Sequence, residues 1–193
     1  MQPDIELGEA LLALARAAIG VRLGVAADAA APAHVALAAP GATFVTLRQG
    51  AELRGCIGTL EAHRPLGVDV QANAVAAALL DPRFPPPATG ELAATSIEVS
   101  LLGASEPLRV MHEDDALARL RAGLDGVILA CGGRRATFLP QVWEQLPDPR
   151  EFLAALKRKA GLPGDFWSPQ VTLARYSVVK YAEREAFAAG AVA

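Results

Sequence analysis

Residues 42–60 read "ATFVTLRQGAELRGCIGTL", and the folding of this stretch governs what can stand around it. Its first half alternates β-branched or aromatic residues with polar ones, Gly50-Ala51 offers a turn, and "ELRGCIGTL" continues in extended form. A β-hairpin is expected. Residues two apart on a strand share a face, so regular alternation sets Arg54, Cys56 and Gly58 on one side and Leu53, Gly55, Ile57 and Thr59 on the other. A guanidinium beside a thiol favours the thiolate, the form that acts as nucleophile or soft ligand. The same residues also admit a plainer reading, in which Cys56 is a small buried hydrophobe and the glycines permit close backbone approach or a bulge.

Outward from the hairpin, Leu7, Leu11, Leu14, Ala18 and Val21 keep helical spacing, which predicts an amphipathic helix over residues 6–22 ending near Gly24. The Ala/Pro-rich segment Val25–Ala42 reads as a surface connection. After the hairpin, Pro65 suits a first helical turn, and the helix through Val68, Asn73, Val75 and Leu79 must stop at "DPRFPPP", residues 81–87. "TSIEVSLLG" alternates as a strand. "EDDALARLRAG" reads as a short helix with acids at its start, closed by Gly123. Next come a hairpin in "DGVILACGGRRATFLP", joined by Gly132 and Gly133, a helix in "REFLAALKRKAG" and a final strand in "QVTLARYSVVKYA".

Both halves therefore run hairpin, helix, strand. The expected architecture is α+β: one domain over residues 1–193, made of two intimately packed subdomains of approximately 1–110 and 111–193. The sheet is mostly antiparallel, and a groove between the halves is the natural place for a site.

Composition narrows the function classes. A chain of 193 residues with 52% hydrophobic content can bury a core without staples. Two cysteines in a chain of this size argue against a disulfide framework and for a reducing compartment, the cytoplasm. Asp4, Glu6 and Glu9 precede the apolar residues of the first helix, where a secretory signal would carry positive charge. No apolar run reaches the roughly 18 residues of a membrane span, so no membrane is expected. A formal charge of −3 supplies no general field for a phosphate backbone, so nucleic acid is not favoured. The basic cluster Arg150, Lys157, Arg158 and Lys159 reads as a solvated helix face.

Cofactor and metal motifs are not found. His34, His63 and His112 are isolated, neither Cys-x-x-Cys nor His-x-x-x-His spacing occurs, and "GCIG" lacks the lysine and hydroxyl residue of a phosphate loop. His63 could serve Cys56 as a base only if the chain turned back, since seven extended residues span roughly 20 Å or more. Other polar residues sit where packing would prefer apolar ones. Asn73 lies in an alanine-rich helix, and Glu98 and Ser100 share one strand face. Asp81 and Arg83 are placed to pair across a turn, and Asp125-Gly126 is first of all a turn signal.

In order along the chain, "GATFVTL", "LRGCIGTLEAHRPL", "NAVAAALLDPRFPP", "IEVSLL", "DGVILACGGRRATFLPQVWEQLPDPREFLAALKRKAGLP" and "ARYSV" resemble one family from about Gly41 to about Val179. This is the AMMECR domain family, whose prokaryotic members are called AmmeMemoRadiSam system protein A. The resemblance implies an α+β fold of two subdomains with a possible site in the cleft. Its motifs mark Arg54, Gly55, Cys56, Ile57 and Gly58, then Asn73, Asp81, Arg83 and Phe84, then Glu98 and Ser100, and Asp125, Phe138, Leu139 and Pro140. The stretch Val25–Pro40 and the tail after Tyr181 fall outside the match.

The family's name and genomic setting imply a Memo-like protein and a radical SAM protein as partners, and hence an accessory or scaffold protein. The alternative is an enzyme or enzyme subunit. In that case Cys56, primed by Arg54, acts as nucleophile or thiol ligand in a cleft also lined by Asn73, Glu98 or Asp125.

Overall fold

A computed structural model describes residues 3–25 and 33–183. The middle of the Val25–Ala42 connection and the tail beyond Glu183 lie outside the described residues. In chain order the helices are α1 (Ile5–Leu23), α2 (Leu66–Leu79), α3 (Glu113–Arg119) and α4 (Pro149–Lys159). The strands are β1 (Pro40–Gly41), β2 (Thr43–Gln49), β3 (Glu52–Gly58), β4 (Arg64–Pro65), β5 (Ser96–Leu102), β6 (Glu106–Leu108), β7 (Gly126–Cys131), β8 (Arg134–Phe138), β9 (Thr172–Tyr176) and β10 (Val178–Ala182).

Two compact units result. The first takes the described residues up to Leu102 and those from Val179 onward, and the second is Gly103–Val178.

In the first unit the sheet order is β10-β5-β2-β3, with β2 antiparallel to both β3 and β5. Alternation sorts its faces: Val45, Leu47, Ile97 and Val99 point into a core closed by α1 and α2. The Asp4 carboxylate caps α1 by accepting from the Leu7 amide at 3.1 Å, and Gly24 ends the helix in the left-handed conformation. The buried stripe of α1 runs through Leu7, Leu11, Leu14, Ala15 and Ile19. Val21, expected on that stripe, is exposed, because the stripe steps from Ala15 to Ile19 and Val21, two residues further, falls about 200° round the helix from Ile19.

The second unit has the sheet order β6-β9-β7-β8, every pairing antiparallel. Its core is aromatic: the Phe152 ring on α4 stacks on Trp143 at 3.7 Å and meets the edge of Phe138 at 5.3 Å. Gly132 and Gly133 both have positive φ and make the expected β7–β8 turn. Each unit contains helix, hairpin, helix and strand in that order, and in each the strand after the helix pairs with the first strand of the hairpin. The chain is α+β.

Four local expectations are corrected. "QVTLARYSVVKYA" is two strands, since β9 joins the second sheet while β10 pairs with β5 in the first. The helix before Gly123 ends already at Arg119. Asp125-Gly126 is not a hairpin turn. Asp125 is buried with its carboxylate on the Arg121 amide and guanidinium, and Gly126 opens β7 where a Cβ would overlap the Tyr176 ring. Lys157 is no part of a solvated face. It is 0% exposed, donates to Glu113 Oε1 at 2.7 Å and to the Gly164 carbonyl at 3.1 Å, and stands 5.6 Å from the Trp167 ring centroid. Lys159 is likewise turned onto the Thr137 carbonyl and the Phe138 ring.

A buried ammonium is tolerable only with its counter-charge in place. Glu113→Ala should therefore lower stability by about 3 kcal/mol, as for other broken buried pairs. A Glu113→Ala/Lys157→Met double variant should recover most of it in urea denaturation; a double variant no better than the single one would refute the account.

Candidate functional site

β3 is the terminal strand of its sheet, and what lies against it explains the "LRGCIG" hexapeptide. Gly55 faces α2 so closely that a Cβ would overlap the carbonyl oxygen of Ala77, and only glycine lets strand and helix approach this far. The register shifts beside it. Leu47 pairs with Gly55 but Arg48 pairs with Leu53, which leaves Arg54 as the extra residue of a β-bulge. Regular alternation therefore breaks at Arg54 itself, and its guanidinium donates to the Gln49 side chain at 2.6 Å.

The next residue in the motif, Cys56, carries its backbone polar groups on the open edge of the sheet, and the "DPRF" loop meets both. The Cys56 amide donates to Asp81 Oδ2 at 2.9 Å, and its carbonyl accepts from Arg83 Nη2 at 3.1 Å. Arg83 also donates to the same carboxylate, from Nε to Oδ1 at 2.9 Å and from Nη2 to Oδ2 at 2.7 Å. The result is a closed ring of hydrogen bonds around one residue. The Asp81 side chain is 2% exposed. The Arg83 guanidinium, helped by the two backbone amides, holds its carboxyl far below the usual carboxylate range against the opposing effect of burial. The guanidinium in turn is held above its ordinary value, by Asp81 first and by the Cys56 thiol group to a smaller extent. The cation held against Cys56, on its backbone carbonyl, is thus Arg83, from a loop 27 residues away.

The Cys56 side chain lies on the sheet face away from the helices. Thr46, directly opposite it, donates its hydroxyl to Sγ at 3.4 Å, and Glu98 is the next residue across from Thr46. Glu98 lies 3.8 Å from Lys180 Nζ. One row further, Phe44 stands between Gly58 and the buried Ser100, and a Cβ on Gly58 would overlap the Phe44 ring. Cys56, Gly58, Glu98 and Ser100 are therefore brought onto one face, with the Cys56 peptide tied to Asp81 and Arg83.

Asn73 belongs elsewhere, to a buried network at the other end of the hairpin. Asp69 accepts from the Thr43 amide at 2.8 Å, the Thr43 hydroxyl at 2.7 Å, the Thr59 hydroxyl at 2.6 Å and Arg64 Nε at 2.8 Å. Asn73 donates to the Thr43 carbonyl at 3.0 Å and to Asp69 at 2.9 Å. The Asn73 amide and Asp69 carboxylate thus fix where β2 begins and β3 ends. Asp69, Thr43, Thr59 and Arg64 escape a sequence reading centred on the cysteine. The available signal is an acid and an amide four residues apart on an alanine-rich helix, hence on one face.

Asp125 lies in the second unit, held by Arg121. The histidines have their own partners: His63 Nδ1 contacts the Glu61 carbonyl, His34 pairs with Asp4, and His112 caps α3. Among the described residues no group of three or more His, Cys, Asp or Glu side chains is placed to hold a metal ion. The chemistry on offer is a half-buried thiol with a hydroxyl donor, on a strand whose backbone is locked.

The AMMECR1 family model matches residues 12–181. A protein of Methanothermobacter thermautotrophicus is 42% identical over 135 residues, which cover 69% of this chain and 70% of that protein. A protein of Methanopyrus kandleri is 36% identical over 192 residues, covering 94% and 90% respectively. The crystal structure of the uncharacterized protein PH0010 from Pyrococcus horikoshii is similar with a TM-score of 0.83 at 32% identity, covering 93% of each chain.

Asp81→Asn should cost about 2 kcal/mol, the scale of weakened hydrogen bonds to a charged group. Because the folded-state pKa is depressed, the Asp81 contribution is fully present above the unfolded value near about 3.9 and is lost as pH falls below it. The stability gap between wild type and Asp81→Asn should be flat from pH 5 to 8 and narrow only below about pH 4; a gap that changes near neutrality would contradict the assignment. Gly55→Ala should cost about 2 to 3 kcal/mol through overpacking against α2, read as a lowered urea midpoint.

Proposed function

Because the chain belongs to the AMMECR1 family, we propose that it is a noncatalytic accessory or scaffold protein, working in the cytoplasm with a Memo-like protein and a radical SAM protein. The observation that carries this reading is the use to which the family's hexapeptide is put. Gly55 admits α2, Gly58 admits Phe44, and the Cys56 peptide is consumed by the ring with Asp81 and Arg83. Residues spent on packing and edge closure support an architectural motif. Free cysteines agree with a reducing compartment, and no helix among the described residues is long and apolar enough to cross a membrane.

The test is association. Tagged Memo-like and radical SAM proteins from the same organism should co-elute with this chain in size-exclusion chromatography at micromolar concentration. Elution of all three apart would remove the reading.

A second reading is favoured by one observation, the Thr46 hydroxyl donating to Cys56 Sγ while the Arg83 guanidinium binds the same residue's carbonyl. There the thiol is a nucleophile or ligand, with Arg83 as well as Arg54 as its cation. It requires iodoacetamide labelling of native protein to persist well below about pH 8.5, where an ordinary thiol titrates. A thiol inert at those pH values leaves the accessory reading alone.

A further inference from the structure

The loop that clamps Cys56 continues into an exposed run of prolines that the edge closure does not use. Pro82, Pro85 and Pro86 are exposed, Phe84 and Pro87 half-buried, and the run from Pro85 to Ala88 has no helical or strand pairing. Its conformation is nevertheless restricted. Proline φ is fixed near about −65°, and Phe84, Pro85 and Pro86 each precede a proline, which excludes helix and selects the extended polyproline region. Ala88, which ends the run, has φ −67° and ψ 155°, the polyproline II values.

Both ends are fastened. On the upstream side, Asp81 and Arg83 bind the Cys56 peptide, and the Arg83 guanidinium lies 5.3 Å from the Phe84 ring centroid. On the downstream side, the Ala88 amide donates to Glu91 Oε2 at 2.6 Å, where the next short helical turn starts. The prolines thus form a stiff segment between two anchors, with Pro85 and Pro86 exposed.

From this geometry we infer that residues 82–88 are a docking ridge for a partner protein carrying a shallow groove lined by aromatic side chains with an acidic residue at its rim. Proline rings fit between aromatic side chains, and a polyproline II segment already ordered loses little entropy on binding. Arg83 supplies the polar complement: its side chain remains 55% exposed while its Nε and Nη2 serve Asp81 and the Cys56 carbonyl. The inference rests on the accessory reading for there being a partner, and on the loop alone for where that partner docks.

The Memo-like and radical SAM proteins serve as probes. Binding of each to wild type and to a Pro85→Ala/Pro86→Ala variant is measured by calorimetry, with thermal melts checking that the exposed substitutions leave the fold intact. A synthetic peptide of residues 82–90, "PRFPPPATG", is added as competitor. The expected result is binding to one probe, weakened about tenfold or more in the double variant and displaced by the peptide. Unchanged affinity in the variant together with an inert peptide overturns the ridge while leaving the accessory reading standing. Failure of wild type to bind either protein overturns both.

Discussion

The edge of β3 is the constraint on which the first unit turns. A terminal strand presents amide and carbonyl groups that recruit other chains unless something covers them. Here the cover is side chains, not backbone: a buried carboxylate for the Cys56 amide and a guanidinium for its carbonyl. This closure requires the strand to lie close to α2, since the loop bearing Asp81 begins at the end of that helix, and Gly55 is what permits the approach. Hexapeptide and loop are two halves of one device. The thiol rides on its opposite side, with its strand position locked whether or not it reacts.

This dependence also bears on how much of the architecture could be read from residues alone. The hairpins, the order of elements and the α2 boundaries follow from periodicity and from Gly and Pro, because those are local preferences. The Asp81–Arg83 pair is legible too, as two residues across a turn. What it binds is not, because the Cys56 peptide lies 25 residues away in the chain and no pattern links a loop carboxylate to one particular amide. The β-bulge at Arg54 is equally silent. It moves the expected cation off the regular alternation, and the guanidinium bound to the Cys56 backbone comes from Arg83 instead. Lys157 fails for a related reason: a basic last turn suits a helix dipole on the surface and also a buried ion pair, and only Glu113 decides between them.

One arrangement recurs across the molecule and gives these polar residues a common logic. Asp81 accepts from the Cys56 amide and pairs with Arg83. Asp69 accepts from the Thr43 amide and pairs with Arg64. Asp125 accepts from the Arg121 amide and pairs with the Arg121 guanidinium, and Glu183 accepts from the Ile97 amide and pairs with Arg16. In three of the four the amide lies where the chain enters or borders a sheet, while that of Arg121 lies in the turn between α3 and β7. A neutral acceptor would satisfy such an amide, but a carboxylate does so more strongly and must then be kept charged within a partly desolvated setting. A partly exposed arginine meets that need, because its fork can reach the carboxylate while the rest of the group stays hydrated.

Four of the arginines in this chain, Arg16, Arg64, Arg83 and Arg121, are committed to internal carboxylates, which bears on how they can meet a partner. Arg16, Arg64, Arg83 and Arg121 each spend donors on an internal carboxylate, and Lys157 and Lys159 are turned onto Glu113 and the Thr137 carbonyl. Such paired cations lend themselves to recognition by shape and by the donors they leave exposed. A stiff proline run beside a half-exposed guanidinium has that form.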